Sequence, residues 1–281
     1  MITVPPPLTD ELRGRYDEMR QRIGAMGEIL VAFSGGVDST LLLRVAHDVL
    51  GDQAVALTAV SPSFPEAERE AAKLLAARIG VRQIEVDSRE YEIEGYQQNE
   101  PDRCYFCKTE LFELCEVAAK DLGFDTVAFG AIGDDLGDHR PGMKAAEEAG
   151  VIAPLAEAGL SKTDVRALSY ELELETWDKP SFACLASRIP FGTQVTVERL
   201  RRIEKAEAAL RALGLRDLRV RDHHPVARVE LGEAEWTKLL ASDLREAVDA
   251  GCREAGFSFV ALDLRPFRTG SLSRAQLSIR S

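Results

Sequence analysis

The chain has 281 residues, 45% of them apolar and 29% charged, which is enough for one large domain and a smaller one, each with its own core. Its formal net charge of −12 argues against a general nucleic-acid binder, since such proteins draw much of their affinity from lysine and arginine at phosphates. No run approaches the roughly eighteen apolar residues of a membrane span, Met1–Pro7 lacks the regions of a signal peptide, and five clustered cysteines do not read as a secreted disulfide framework; a cytoplasmic protein is expected.

After the triproline leader, Leu8–Met26 reads as an amphipathic helix capped by Thr9, with Asp10 and Glu11 in its first turn. The apolar strand Ile29–Phe33 then runs into Ser34-Gly35-Gly36-Val37-Asp38-Ser39-Thr40 and a helix over Asp38–Leu50. Adjacent glycines open backbone angles closed to other residues, so successive amides can converge on an anion at the helix N-terminus. Ser34, Ser39 and Thr40 add hydroxyl donors. No lysine follows the last glycine, as a Walker loop requires, so that kind of phosphoryl transfer is not expected.

Strands are expected at Ala54–Val60, Gln83–Val86, Thr126–Gly130 and, more weakly marked, Val151–Ala153. They alternate with helices over Pro65–Ile79, Thr109–Leu122, Met143–Ala149 and Lys162–Leu172. This order implies an α/β domain over residues 1–174, a parallel sheet with helices on both faces and ligands at the carboxyl ends of its strands. Periodicity fails over residues 175–195, which carry Pro180, Pro190 and Cys184 and read as a linker. Residues 196–281 form a smaller α+β unit: a helix over Thr196–Leu213, strands Leu218–Arg221 and Ala227–Leu231, helices within Glu233–Ala255 and a last strand at Phe259–Leu264.

Cys104 and Cys107 stand three residues apart before the helix expected from Thr109. Such a pair is half a zinc site, a redox dithiol or two ligands of an iron–sulfur cluster. Cys115 and Cys252 fall on apolar helical faces and read as core. That leaves Cys184, in Lys179-Pro180-Ser181-Phe182-Ala183-Cys184-Leu185-Ala186-Ser187-Arg188, as a third thiolate. Zinc held by these three with His139 is the structural alternative. The charges of Lys179 and Arg188 are placed to lower the Cys184 pKa toward thiolate.

Together, Ser34–Ser39, Asp102–Lys108, Gly130–Gly142, Cys184–Arg188 with Ile189-Pro190-Phe191-Gly192, and Arg219-Val220-Arg221 resemble the LarE family. These are ATP-dependent sulfur transferases of nickel-pincer nucleotide cofactor synthesis, within the PP-loop ATP-pyrophosphatase superfamily. Leu262-Asp263-Leu264 and Phe267-Arg268-Thr269-Gly270-Ser271 resemble the family's ending. The resemblance implies that ATP adenylates a carboxylate of pyridinium-3,5-biscarboxylic acid mononucleotide, and that a sulfur nucleophile then displaces AMP. In single-cysteine members the residue matching Cys184 gives up its own sulfur; with Cys104 and Cys107 present, the chain resembles the branch in which a [4Fe-4S] cluster on Cys104, Cys107 and Cys184 carries a replaceable sulfide from sulfide or another donor.

On the same resemblance, Ala32, Ser34, Gly35, Gly36, Val37, Asp38, Ser39, Thr40, Gly130 and Asp134 bind ATP. Asp38 is counted as catalytic, and Asp38 and Asp134 are helpers for Mg2+ or caps of a helix and a turn. Ser187, Arg188, Arg219 and Arg221 receive the substrate phosphate, although Arg219 and Arg221 also fit a solvated strand face. Glu207 and Glu230 are candidates for a cation or acid/base site, and the resemblance suggests a homo-oligomer, a trimer of dimers. Ile132 stands where the family commonly has a polar residue. The competing functions are a tRNA thiolase, an ammonia-using amide ligase, and a non-catalytic nucleotide-binding module with structural zinc.

Overall fold

The computed structural model describes residues 4–136, 141–180, 183–240 and 243–267. The chain forms two compact units, residues 1–96 with 102–182 and residues 97–101 with 183–281. In the first unit, α1 (Asp10–Met26) begins where Thr9 Oγ1 accepts the Leu12 amide. It is followed by β1 (Ile29–Ala32), α2 (Val37–Leu50), β2 (Ala54–Val60), α3 (Glu66–Ile79), β3 (Arg82–Asp87), the short α4 (Glu94–Gln97) and the long α5 (Arg103–Leu122). Then come β4 (Val127–Phe129), α6 (Gly133–Leu136), α7 (Pro141–Glu148), α8 (Pro154–Glu157) and α9 (Lys162–Glu171).

The four strands form a parallel sheet in the order β3-β2-β1-β4. Both faces are covered, which is why the strands carry unbroken apolar runs. Ile29 and Val31 of β1 enter one core with Leu41, Leu42 and Ala72; Leu30 and Ala32 enter the opposite core with Phe112, Cys115 and Ala146. The strand order reverses beside β1, so the crevice between the carboxyl ends of β1 and β4 is the sheet's switch point, where open α/β sheets bind ligands.

Two expectations require correction. The strand at Val151–Ala153 is reduced to one parallel bridge, Ala128 to Ile152, because Pro154 has no amide to extend the ladder and instead opens α8. Helix α5 starts at Arg103 rather than Thr109; Thr109 lies inside it, its hydroxyl donating to the Tyr105 carbonyl at 3.0 Å. Cys104 and Cys107 are therefore inside the helix, in its first and second turns, not ahead of it.

The second unit comprises α10 (Val197–Ala212), β5 (Leu218–His223), β6 (Val226–Leu231), α11 (Glu233–Leu240), α12 (Leu244–Glu254) and β7 (Phe259–Leu262). Its sheet order is β5-β6-β7, antiparallel then parallel. Leu218, Val220, Ala227 and Val229 pack with Leu210, Val248 and Cys252. The excursion of residues 97–101 supplies Asn99, fully buried at φ +57°. Its Nδ2 donates to the carbonyls of Ile189, Pro190 and Thr193 at 3.3, 2.8 and 2.9 Å, fastening the loop beyond Cys184.

Candidate active site

Ser34–Thr40 leaves the carboxyl end of β1 and turns into α2. Gly35 adopts φ +67°, and a Cβ there would lie 3.1 Å from that of Ala72, so the turn requires glycine twice over. Gly36 is the N-cap and contributes no side-chain acceptor, which leaves the first-turn amides of α2 directed outward. Ser39 Oγ accepts the Ser34 amide and lies 3.3 Å from Ser34 Oγ. The Thr40 hydroxyl is buried with no hydrogen-bond partner among the described residues. Gly130, at the end of β4, comes so close that a Cβ would lie 2.8 Å from the Ser39 amide nitrogen. The two strand ends flanking the switch point thus meet at the N-terminus of a 14-residue helix.

Lys162, which sequence reasoning left as an ordinary helix residue, ties these segments together. Its ammonium donates to both Asp38 carboxylate oxygens at 2.7 and 2.6 Å, and its backbone amide donates to Asp134 Oδ2 at 2.9 Å. The signal available in the sequence was the capping box Ser161–Asp164, which fixes where α9 starts and so where Lys162 sits. Lys179 was expected to act on Cys184. Instead its ammonium donates to the Gly35 carbonyl at 3.0 Å and pairs with Glu68 at 2.8 Å, bracing the glycine turn.

None of the five cysteines is in a disulfide. Cys104 is exposed and Cys107 half-buried, three residues apart on one face of the N-terminal end of α5. Burial pushes the Cys115 thiol up to about 12 and the Cys252 thiol up to about 11, consistent with inert core positions. Among the described residues no three His, Cys, Asp or Glu side chains gather as a metal-ligand set; Cys104 and Cys107 belong to the first unit and Cys184 to the second. His139 and the rest of Gly137–Arg140, Ser181, Phe182 and the Arg268–Ser271 ending lie outside the described residues.

In the second unit, Cys184 is half-buried at the entrance of a 3-10 turn over Leu185–Arg188. Arg188 is fully buried. Its Nε and Nη2 donate to the two oxygens of the equally buried Glu207 at 2.9 and 3.1 Å. Its Nη1 donates to the Cys184 carbonyl and Ser187 Oγ, each at 3.0 Å, and to the Ala183 carbonyl. Burial pushes the Glu207 carboxyl up, but Arg188, Arg211 and the Val220 amide outweigh it and hold it below the usual carboxylate range. A carboxylate so held has no proton to give near neutrality.

Arg219 and Arg221 do not line a solvated face. They are 7% and 5% exposed, since the Leu185–Arg188 turn and the Phe267 ring cover that side of β5. Arg221 donates to Glu230 Oε2 at 2.9 and 2.6 Å and to the Ser187 carbonyl at 2.9 Å. Glu230 also accepts from Arg228 at 2.8 Å. Burial, aided by Arg188 and Arg221 and opposed by Glu207 and Asp217, lowers Arg219 to about 10.

A parallel sheet whose switch point carries Ser-Gly-Gly-Val-Asp-Ser at the open end of a helix defines an ATP-pyrophosphatase of the PP-loop class. Residues 16–103 match the family model described as asparagine synthase. The chain is 39% identical over 256 residues to pyridinium-3,5-bisthiocarboxylic acid mononucleotide synthase of Lactiplantibacillus plantarum, covering 89% of this chain and 92% of that protein. The chain belongs to the LarE family of ATP-dependent sulfur transferases. It is also 44% identical over 264 residues to an uncharacterised protein of Synechocystis sp., covering 94% and 98% of the two chains. An uncharacterised protein of Methanocaldococcus jannaschii is 28% identical over 242 residues, 86% of this chain and 91% of its own.

Proposed function

We propose that this chain uses ATP to adenylate a carboxylate of pyridinium-3,5-biscarboxylic acid mononucleotide, releasing pyrophosphate, and converts the adenylate to a thiocarboxylate with sulfur delivered at Cys184. The observation that carries the reading is the junction at the switch point, where Lys162 joins Asp38 to Asp134 across the open N-terminus of α2. The α2 amides and the hydroxyls of Ser34, Ser39 and Thr40 hold phosphate oxygens, and the developing charge on the leaving pyrophosphate is met by donors already in place.

Lys162 is a compact cation on a flexible stem. Its ammonium neutralises Asp38 before nucleotide arrives and turns to the phosphates when they enter. Asp38 and Asp134 are the carboxylates for Mg2+; two acidic groups bridged by one lysine fit a cation that neutralises phosphate charge. Arg219 and Arg221, the latter donating to the Ser187 carbonyl, are the proposed receivers of the mononucleotide phosphate, the bidentate geometry of arginine suiting that group.

Cys104, Cys107 and Cys184 are the proposed cluster ligands. Two thiols three residues apart on one face at the N-terminal end of a helix fit this role, because a helix N-terminus favours thiolate. When bound, a [4Fe-4S] cluster held by three thiolates supplies an open iron that carries a replaceable sulfide. Assembly as a homo-oligomer belongs to the same proposal. The test is anaerobic reconstitution with iron and sulfide, followed by iron analysis and mass spectrometry of products from ATP, the mononucleotide and added sulfide. Four irons per chain, lost in Cys104→Ala, Cys107→Ala and Cys184→Ala, with repeated thiocarboxylate turnover, is the expected result. Thiocarboxylate in a single turnover, with loss of the Cys184 sulfur from the protein, would remove the cluster from the reading. No ATP-dependent thiocarboxylate at all would overturn it.

A further inference from the structure

Cys184 carries its reactive group on a turn rather than on a helix or strand, yet its backbone is among the most heavily anchored in the second unit. The Cys184 carbonyl accepts three hydrogen bonds: from the Ser187 amide at 3.0 Å, from Ser187 Oγ at 2.7 Å and from Arg188 Nη1 at 3.0 Å. The Arg188 guanidinium has its orientation set by Glu207, whose two oxygens take Nε and Nη2 in a fork and leave Nη1 aimed at the carbonyls of Ala183 and Cys184. Glu207 is fixed in turn by Arg211 at 2.8 Å and by the Val220 amide of β5 at 3.1 Å. Both members of the pair are 0% exposed.

A buried ion pair is weak as a source of stability, since desolvation consumes most of the Coulomb gain. It does fix geometry, because the fork commits both Glu207 oxygens to Arg188 Nε and Nη2, and pulling it apart would leave charge buried. A guanidinium with no solvent access offers no approach for a substrate phosphate, and an enclosed, ionised carboxylate offers none for a cation or a proton. What the pair reaches is the carbonyl of the reacting cysteine.

From this geometry we propose that Glu207 is a positioning residue for Cys184, acting through Arg188, and that the pair serves to hold the thiol in place rather than to bind phosphate or a cation. The inference rests on the reading of Cys184 as the sulfur-transfer thiol. Arg211 supports Glu207 from the partly exposed side but is the least of its holds, since the Arg188 fork and the Val220 amide do not depend on it.

The test compares Glu207→Gln, Arg188→Lys and Ser187→Ala with Arg211→Leu in the full chain. The readouts are thiocarboxylate formation, ATP-dependent pyrophosphate release, and iodoacetamide labelling of each cysteine followed by mass spectrometry. Buried Cys115 and Cys252 report any general loosening, and Ser187→Ala, at a half-buried position, remains informative if Glu207→Gln does not fold. Glu207→Gln and Arg188→Lys are expected to cut thiocarboxylate formation by about tenfold or more, because small misplacements of a nucleophile are costly, with pyrophosphate release within about twofold. Cys184 labelling is expected to rise by about threefold relative to Cys104 while Cys115 and Cys252 stay protected, the signature of a locally released turn. Arg211→Leu is expected to change neither.

Cys184 labelling that is unchanged, or that rises only in step with Cys115 and Cys252, would overturn the positioning role even if activity fell. Loss of pyrophosphate release together with thiocarboxylate would instead place the pair in substrate binding. If Cys184→Ser retained full sulfur transfer, the reading of Cys184 itself would fail, a result distinct from both.

Discussion

The two ion pairs at the ends of this chemistry differ in a way that separates their tasks. Lys162 and Asp38, at the glycine loop, keep 32% and 25% of their side-chain surface in contact with solvent; Arg188 and Glu207, behind Cys184, keep none. The partly exposed pair has less to lose by parting, since solvent-accessible pairs are worth about 0–1 kcal/mol, and in the proposed reaction incoming phosphates offer the lysine another partner. The buried pair cannot part without stranding a charge. One is suited to exchanging partners during the reaction, and the other to remaining fixed while it proceeds.

The largest effect expected is from Cys184→Ser, which should lower sulfur transfer by about 10³-fold or more while ATP-dependent pyrophosphate release persists, since neighbours do not compensate for loss of the thiol at which the sulfur is proposed to be delivered. Gly130→Val comes next. Its side chain would collide with the Ser39 amide, and pyrophosphate release should fall by about 10²-fold with the fold retained on circular dichroism.

Lys162→Ala sharpens the contrast with the buried pair. Stability measured by urea unfolding should change by less than about 1 kcal/mol, while pyrophosphate release falls by about 10²-fold, as for other groups that meet transition-state charge. Glu207→Gln should do the reverse in stability, costing about 3–5 kcal/mol by leaving Arg188 buried without its carboxylate. If both variants moved stability equally, the distinction between the pairs would be lost.

Acid provides the smallest and most graded test. The Glu207 carboxyl is held below its ordinary value of 4.5, so the stability it contributes is complete above that value and drains away as pH falls beneath it toward the depressed folded value. Urea midpoints of the second unit should decline below about pH 4.5, and Glu207→Gln should flatten that decline. An unchanged slope would show that Glu207 is not the group responsible.

Much of the first unit was legible in the sequence because its signals are local. Apolar strands, paired glycines and the Ser161–Asp164 box each act within a few residues. The partner of Asp38 was not legible, since Lys162 lies 124 positions away and reaches it only once the sheet has formed. Arg219 and Arg221 illustrate a different limit. Their alternation with Leu218 and Val220 correctly assigns them to the opposite face of β5, but period-two patterning does not reveal whether that face meets water. Here the turn after Cys184 and Phe267 cover it, so the alternative of a solvated face gives way to two buried arginines. The start of α5 lies just after Asp102, a favoured N-cap residue type whose side chain makes no capping hydrogen bond, so the helix extends through both cysteines ahead of the expected start at Thr109.

The most direct test of the account is to measure pyrophosphate and thiocarboxylate together from ATP, the biscarboxylate mononucleotide and a sulfur source, for the unaltered protein and Cys184→Ser. The account predicts both products from the first and pyrophosphate alone from the second. Thiocarboxylate from Cys184→Ser at the unaltered rate, or no pyrophosphate from the unaltered protein, would contradict it.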